Sequence, residues 1–354
     1  RGLGDVYKRQ ILLYGLIVKR KLAEDKYKKR YLTLCFFQML LIQGLRGINV
    51  GTDTIMYTEV YNNYLHSEYY AYQFTHLEKG FQLLYSVLHR VSADEQGLLI
   101  TMSAITMAGF GYFIYKNSKD VLMSTFLFAC MFYPNSFNIS RQYLALSLSI
   151  NSYELIREKK YIKAALLVIV AFSIHQTSIL MLVPFFIGWL KNWKAIRNIL
   201  LVLSVVVFLF GGKIVAIVLP LVGKSYYISG AGANYSVNRL FRMTTALTVV
   251  IATVVLYLTK RVAREDKEQM NILSGVAFVN MIFGVLYLKF EFFSRLIESM
   301  NLYILVSLPI GIHKARTRYR PLIEVGVYGI AFLLMLNAVF NSNSGVESYK
   351  MFFM

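Results

Sequence analysis

Long apolar runs recur along almost the whole chain, and they restrict the possible folds more than any other feature of the sequence. A helix needs about 20 apolar residues to cross a bilayer, or fewer when charged side chains at its ends reach the interface. The runs that meet this requirement, wholly or in part, are Tyr31–Gly44, Gly97–Tyr115, Val121–Tyr133, Phe137–Leu155, Lys163–Leu190, Ile196–Leu219, Phe241–Thr259, Met270–Leu288, Leu296–Ile312 and Leu322–Phe340. Backbone groups in lipid must be satisfied internally, and these runs lack the alternation of barrel strands. With the shorter run Ile11–Val18, they predict an all-α, polytopic membrane bundle of about 11 spans or half-spans.

The composition excludes several classes of soluble protein. Hydrophobic residues make up 56% of the 354 residues and charged residues only 16%, whereas soluble domains carry about a quarter charged residues. This excludes a soluble enzyme, a disordered chain and a disulfide-stapled secreted domain. Cys35 and Cys130 both lie inside apolar runs, so we expect two buried, unpaired thiols rather than a disulfide or zinc site.

The first residues differ in composition and rhythm from the rest of the chain. Asp5–Gln10 matches a translation of the transposon end that is used to prepare sequencing libraries. We therefore expect residues 1–10 to be an assembly scar that is not native. Residues 11–354 would then form a single polytopic membrane domain whose first span is truncated to Ile11–Val18.

The net charge of +19 indicates how the chain is oriented in the membrane rather than a nucleic-acid partner. A nucleic-acid-binding domain clusters its basic residues on one face, but most of the 38 Lys and Arg residues here lie in short connectors between apolar runs. These connectors are Lys19–Arg30, Lys116–Asp120, Arg157–Lys163, Lys191–Asn198, Lys260–Lys267 and His313–Arg320. The positive-inside rule places them in the cytoplasm. The connectors 45–96, 134–140, 220–239 and 289–295, and the tail after Phe340, then face outward from the cytoplasmic (inner) membrane. Within the longest of them, amphipathic Phe81–Val91 can lie on the membrane surface.

One apolar run breaks the alternation of sides. Arg157–Lys163 and Lys191–Asn198 are both predicted to be cytoplasmic, yet only one run separates them. Two half-length helices with a turn in the polar segment Ser173–Ser178 would return the chain to the same side. We therefore predict a break or re-entrant hairpin there. The alternative is one long straight helix with basic residues on the outer side.

Ionisable residues in the outward half of the bundle are candidates for function, because charge near the membrane interior is costly. The set comprises Arg46, Asp53, Arg141, His175, Arg239, Arg242, Glu291, Arg295 and Glu298. Several guanidinium groups around one cavity suit a diphosphate, and Arg141 is predicted at a helix N-terminus, where anions are favoured. His175 or Asp53 could take a proton from a hydroxyl group.

Each of these residues also has a structural interpretation. Asp53 can cap a helix, and His175 can be a hydrogen-bonded packing residue. Arg239, Arg242 and Arg295 can anchor helices at the interface, and Glu298 can pair with Arg295. The sequence contains no Walker loop, HExxH, DxD or GxSxG motif. A substrate that carries its own leaving group needs none of these, so we expect no cofactor or metal.

Five segments, taken in order, resemble the EpsG-like branch of Wzy-type polysaccharide polymerases. They are Leu45–Tyr57 (LRGINVGTDTIMY), Leu77–Leu84 (LEKGFQLL), Ser140–Leu148 (SRQYLALSL), Lys159–Pro184 and Ser294–Pro309, and the ending Tyr349–Met354 is similar to the aromatic C-terminus of the family. The resemblance implies a membrane enzyme that transfers a growing glycan between undecaprenyl-diphosphate carriers at the outer face. A flippase and a chain-length regulator are its implied pathway partners.

The resemblance also implies functional positions at Arg46, Asp53, Arg141, His175 and Arg295. We hypothesise that Arg141 and Arg295, with Arg46 or Arg242 assisting, hold the donor diphosphate, while His175 or Asp53 orients or deprotonates the acceptor hydroxyl. The main rival is a flippase for the same lipid-linked oligosaccharide, although no internal repeat of the kind common in transporters is evident. A sugar acyltransferase and a non-enzymatic assembly partner are further alternatives.

Overall fold

A computed structural model describes most of the chain, and the described residues are almost entirely helical. It covers Tyr14, Gly15, 19–91, 93–190, 193–221, Thr245, Val249, Thr253, 267–314, 319–341, Val346 and 349–353. Within these ranges there is no strand, apart from an isolated bridge between Arg46 and Met351, so the all-α class is confirmed for the described part. The predicted scar at residues 1–10, most of Ile11–Val18 and Phe241–Thr259, and both Arg239 and Arg242 lie outside it.

The helices group into two compact units, one formed by residues up to Leu182 together with those from Ile312 onward, the other by Val183–Gly311. The first unit contains α1 (Asp25–Gly44), α2 (Thr52–Asn63), α3 (Glu68–Thr75), α4 (Lys79–Arg90), α5 (Glu95–Asn117), α6 (Val121–Leu127), α7 (Tyr133–Asn138), α8 (Ser140–Ser149), α9 (Ser152–Arg157) and α10 (Tyr161–Phe172). The second contains α11 (Val183–Trp189), α12 (Trp193–Leu221), α13 (Lys267–Tyr287), α14 (Phe293–Asn301) and most of α15 (Ile304–Lys314), and α16 (Arg320–Asn341) belongs to the first.

Several predicted spans coincide with single helices, whereas others are divided. A π-helical turn at Phe128–Phe132 joins α6 to α7, and the predicted span Phe137–Leu155 is split between α8 and α9. Among the described residues, Glu95–Asn117 and Gln269–Tyr287 are long and apolar enough to cross a membrane alone, and α14 with α15 forms a third candidate bent by 43°. A span count of about 11 therefore stays a prediction.

The long connector at 45–96 is built from helices that pack on the bundle. In α4, Phe81, Tyr85 and Leu88 follow the i, i+4, i+7 spacing of one helix face, and all three are buried in a cluster that includes Met102 of α5 and Leu144 of α8. The apolar face predicted to lie on a membrane surface is thus covered by protein. The opposite side of α4 exposes Leu83 and other apolar residues.

The predicted helix break is present, because α10 ends at Phe172 and a 3₁₀ helix begins at Gln176. At the break, the backbone N–H of Gly80 donates to the carbonyl of Ser173 (2.7 Å). Further along, the hydroxyl of Ser152 donates to the carbonyl of Met181 (3.4 Å). The 3₁₀ segment therefore runs back along α8 towards its far end. That both flanking connectors are cytoplasmic stays a prediction.

The second unit has its own core. Ile282 and Leu286 of α13 pack on Phe293 and Ile297 of α14, an amphipathic arrangement in which one apolar stripe of each helix faces the other. Cys35 and Cys130, which belong to the first unit, are buried and form no disulfide within the described residues, as predicted.

Candidate functional site

Arg46 lies just after α1 and is fully buried, with 1% of its surface exposed. Its Nη2 donates to Thr54 Oγ1 (3.2 Å) and to Ser140 Oγ (3.0 Å), and the guanidinium lies over the ring of Phe137, 5.2 Å from the centroid. Nε and Nη1 have no hydrogen-bond partner in the described part of the chain. Burial lowers the pKa of this guanidinium to about 10, so it stays protonated at neutral pH. A buried cation with unused donors favours an anionic ligand.

The residues after Arg46 fold into a tight turn that fixes its position. Gly51 has a φ of +91°, and a Cβ on it would lie 2.4 Å from the carbonyl oxygen of Phe137, so glycine is required there. Thr54 Oγ1, which accepts from Arg46, donates to the carbonyl of Val50 (2.8 Å). The turn is thus held against the corner between α7 and α8.

Asp53 does not occupy the capping position that one interpretation of the sequence gave it. Gly51 is the N-cap of α2, and Asn138 Oδ1 accepts from the backbone N–H of Asp53 (2.9 Å) and from Thr52 Oγ1 (2.6 Å). Asn138 therefore supplies the capping acceptor from another helix. The half-buried Asp53 carboxylate lies in the first turn of α2.

The end of the chain pairs with the backbone on both sides of Arg46. Within Tyr349–Phe353, which we call the C-terminal strap, Lys350 O accepts from Gly47 N–H (2.9 Å), and Phe352 N–H donates to Leu45 O (3.0 Å). The Tyr349 hydroxyl donates to the carbonyl of Ile42 (2.7 Å). Sequence reasoning noted the aromatic character of this ending but had no means of locating its partner.

Arg141 is the second residue of α8, as the sequence predicted, but its charge is balanced. Its Nη1 lies 2.9 Å from Oε2 of Glu78, and the two side chains are 19% and 17% exposed. The guanidinium also lies over Phe81, 5.7 Å from the ring centroid. Glu78 was not singled out from the sequence, although it belongs to the segment LEKGFQLL that carried the family resemblance.

His175 lies in the helix break and is half-buried. Its Nδ1 is 2.8 Å from Thr177 Oγ1 and accepts from the backbone N–H of Thr177 (3.3 Å). When Nδ1 is the acceptor, the neutral ring carries its proton on Nε2. This tautomer makes Nε2 a hydrogen-bond donor rather than a base.

Direct contacts bring these positions into one region of the first unit. Ser140 contacts Arg46, and its neighbour Arg141 contacts Glu78. Gly80, next to α4's start, is so close to Ser173 that an added Cβ would lie 2.2 Å from Ser173 Oγ. The start of α8 thus contacts Arg46 on one side. On the other side it contacts Glu78, and the adjoining helix α4 contacts the break that contains His175.

The two remaining predicted diphosphate contacts lie in the second unit or outside the described residues. Arg295 lies on α14 in the second unit, half-buried, and its carbonyl accepts from Ser299 Oγ (3.0 Å). Arg242 lies outside the described residues. Among the described residues, no group of three or more His, Cys, Asp or Glu side chains could hold a metal ion.

Comparison with known proteins gives one match. The sequence model described as the EpsG family matches residues 29–352, which is most of the chain. No curated protein and no solved structure matches.

Proposed function

The chain belongs to the EpsG family of Wzy-like polysaccharide polymerases, and from that premise we propose that it joins undecaprenyl-diphosphate-linked oligosaccharide repeats into a surface or extracellular polysaccharide. The family and the apolar helices make it a membrane protein of polysaccharide biosynthesis. We further propose that the reaction takes place at the outer face of the cytoplasmic membrane and requires neither a metal ion nor a nucleotide sugar. A flippase that delivers repeats and a chain-length regulator are its proposed partners.

The observation that carries this proposal is the unbalanced charge of Arg46. A diphosphate leaving group gains negative charge as its bond to the donor sugar breaks, and a fixed guanidinium stabilises that charge. Arg46 has unused donors at Nε and Nη1, so we propose that it is the main contact of the donor diphosphate. The charge of Arg141 is already balanced by Glu78, so we propose Arg141 as a secondary contact of the diphosphate. Arg295 and Arg242 are further proposed contacts.

The bond changes of the proposed transfer assign different roles to Asp53 and His175. The bond between the anomeric carbon of the growing chain and the carrier phosphate oxygen breaks, and the diphosphate leaves with the electron pair. The acceptor hydroxyl oxygen bonds to that carbon and loses its proton to the Asp53 carboxylate. His175, with its proton on Nε2, orients the sugars as a donor.

We infer that the C-terminal strap limits access to Arg46, because Tyr349–Phe353 pairs with the backbone on both sides of this buried residue. Phe352→Pro removes the N–H that donates to Leu45 and is expected to loosen the strap. Peptide mass spectrometry should then find more phenylglyoxal adduct on Arg46 than in the wild type. The matched control is Phe353→Ala, whose side chain is exposed. Equal modification in all three proteins would mean that the strap does not limit access.

The decisive experiment follows lipid-linked sugars in cells that lack the gene. Loss of long polymer, with single repeats accumulating on the outer leaflet, would support the polymerase. Single repeats trapped on the inner leaflet would overturn it in favour of a flippase. Complementation with Arg46→Lys and Arg46→Met at matched membrane levels should restore little or no polymer.

A further inference from the structure

A groove between α1 and α5 has no role in the proposed polymerase chemistry. It has a volume of about 400 Å³ and lies in the first unit. On α5 the lining includes small residues at helical spacing together with larger ones such as Met107 and Tyr112, and aromatic and aliphatic side chains of α1 form the wall. The small residues are Ala104, Ala108 and Gly111, and the wall includes Phe36, Phe37 and Leu40. Phe37 is 55% exposed, so the groove opens laterally along the helices.

The length of the groove matches one leaflet of a bilayer. Its lining on α1 runs from Lys29 to Leu40, which at 1.5 Å per residue is about 16 Å. The hydrocarbon core of a bilayer is about 30 Å thick. With the basic connectors on the cytoplasmic side, as the sequence predicts, the groove extends from the inner interface to about the bilayer midplane.

Positive charge collects at the Lys29 end of the groove. Lys29 pairs with Asp25 (2.8 Å) and Lys116 pairs with Glu154 (3.2 Å). Lys28 and Lys119 have no carboxylate within ion-pair distance in the described part of the chain. Burial lowers the pKa of Lys28; nearby Asp25 raises it, whereas the charges of Lys119 and Lys116 lower it further. The four lysines at this end outnumber the two carboxylates Asp25 and Glu154, so the mouth of the groove carries a net positive charge.

We propose that the α1–α5 groove binds one acyl chain of an anionic glycerophospholipid of the inner leaflet, with the headgroup phosphate between Lys28 and Lys119. The apolar channel takes the acyl chain, and the excess positive charge of the lysines attracts the phosphate. The aromatic ring of Tyr115, 4.9 Å from Lys28 Nζ, lies at the level where the headgroup joins the chain. The proposal is independent of the polymerase reaction.

Native mass spectrometry of the full chain, released from nanodiscs of mixed phosphatidylglycerol and phosphatidylcholine, tests this site. The wild type should retain one phosphatidylglycerol in preference to phosphatidylcholine. Lys28→Gln with Lys119→Gln should weaken retention about 25-fold, since each lysine near an anionic headgroup contributes roughly fivefold. The control Lys26→Gln, an exposed lysine of the same connector, should change little. Ala108→Phe, which fills the groove, should also abolish retention, whereas Val170→Phe on exposed α10 should not.

Four outcomes would overturn the proposal. The first is equal retention of the neutral and anionic lipids. The second is undiminished retention in the double lysine variant. The third is preferential retention of undecaprenyl phosphate over phosphatidylglycerol, which would assign the groove to the carrier. The fourth is a dimer that Ala108→Phe dissociates, which would show that a second copy covers the groove.

Discussion

Burying a guanidinium costs free energy unless its charge and its donors are met, and in Arg46 only one of three nitrogens is met. Replacement by Met keeps the length and apolar volume while removing the buried charge. We expect Arg46→Met to abolish polymer formation. Its free energy of unfolding should be at most about 1 kcal/mol below that of the wild type, or higher, because an uncompensated buried charge is lost. Thermal unfolding in detergent and polymer yield in cells, measured in parallel, check this.

The control is Arg46→Ala, which also removes volume. A cavity beside Phe137 should cost about 2–4 kcal/mol. If Arg46→Met were destabilised as much as Arg46→Ala, the guanidinium would hold the fold together rather than bind the diphosphate.

Substitutions in the ion pair between Glu78 and Arg141 can show whether Arg141 contacts the substrate or only stabilises the fold. Both side chains are mostly buried, so a double-mutant cycle should give a coupling of about 1–3 kcal/mol in unfolding free energy. The charge-reversed pair, Glu78→Arg with Arg141→Glu, should recover much of that stability but not polymer formation, because a carboxylate at position 141 would repel the diphosphate. Recovery of activity by the reversed pair would make Arg141 purely structural.

At the candidate site, the sequence could nominate residues but could not predict which side chains they contact. Arg46, Asp53, Arg141 and His175 could be singled out because polar groups beside membrane spans need a reason to be there. The partner of Arg141 could not, since Glu78 reaches it only after α4 has packed on the bundle. The pairing of the C-terminal strap beside Arg46 joins residues about 300 positions apart, and no local sequence pattern encodes such a contact.

At the scale of elements, charge was a better guide than hydropathy. The break after Phe172 could be predicted because two basic connectors require the chain to return. The division of Phe137–Leu155 into α8 and α9 could not, because an apolar run gives no sign of where a helix bends inside a bundle. The amphipathic face of α4 was recognised from its period, but period alone does not distinguish a membrane surface from a protein partner.

The docking of α4 gives a prediction at this scale. A Cβ at Gly80 would lie 2.8 Å from the carbonyl oxygen of Ser173, and backbone cannot rotate away as a side chain can. Gly80→Ala should therefore push the start of α4 from the break, cost about 1–3 kcal/mol in unfolding free energy and lower polymer yield through displacement of Glu78. Thermal unfolding and polymer yield measure both effects.

Gly326→Ala on α16 is the matched control, because an added Cβ there meets no atom within 4 Å. It should be neutral or slightly stabilising, since alanine favours a helix interior over glycine. Similar behaviour of the two variants would mean that the contact between Gly80 and Ser173 is not tight in the folded protein.

For the whole molecule, the arrangement of sides decides which predicted residues can share a substrate. Arg46 follows α1 and Arg295 lies on α14 in the second unit. Whether they face the same side of the membrane therefore depends on the number of membrane crossings between them. The order of apolar runs and basic connectors predicts that both face outward. That prediction depends most on the break in Ser173–Ser178, since a straight helix there would invert every later connector.

Cysteine labelling tests this arrangement directly, because the native Cys35 and Cys130 are buried and should stay unlabelled. A membrane-impermeant maleimide should label Tyr69→Cys, at a position 64% exposed in the outward connector, in intact cells. Lys119→Cys and Lys194→Cys should be labelled only after permeabilisation. Labelling of Lys194→Cys in intact cells would mean that Lys163–Leu190 crosses the membrane once. The parity of the later spans would then place Arg295 on the cytoplasmic side, away from Arg46. In that case Arg295 could not contact the diphosphate, and the site would consist of residues from the first unit alone.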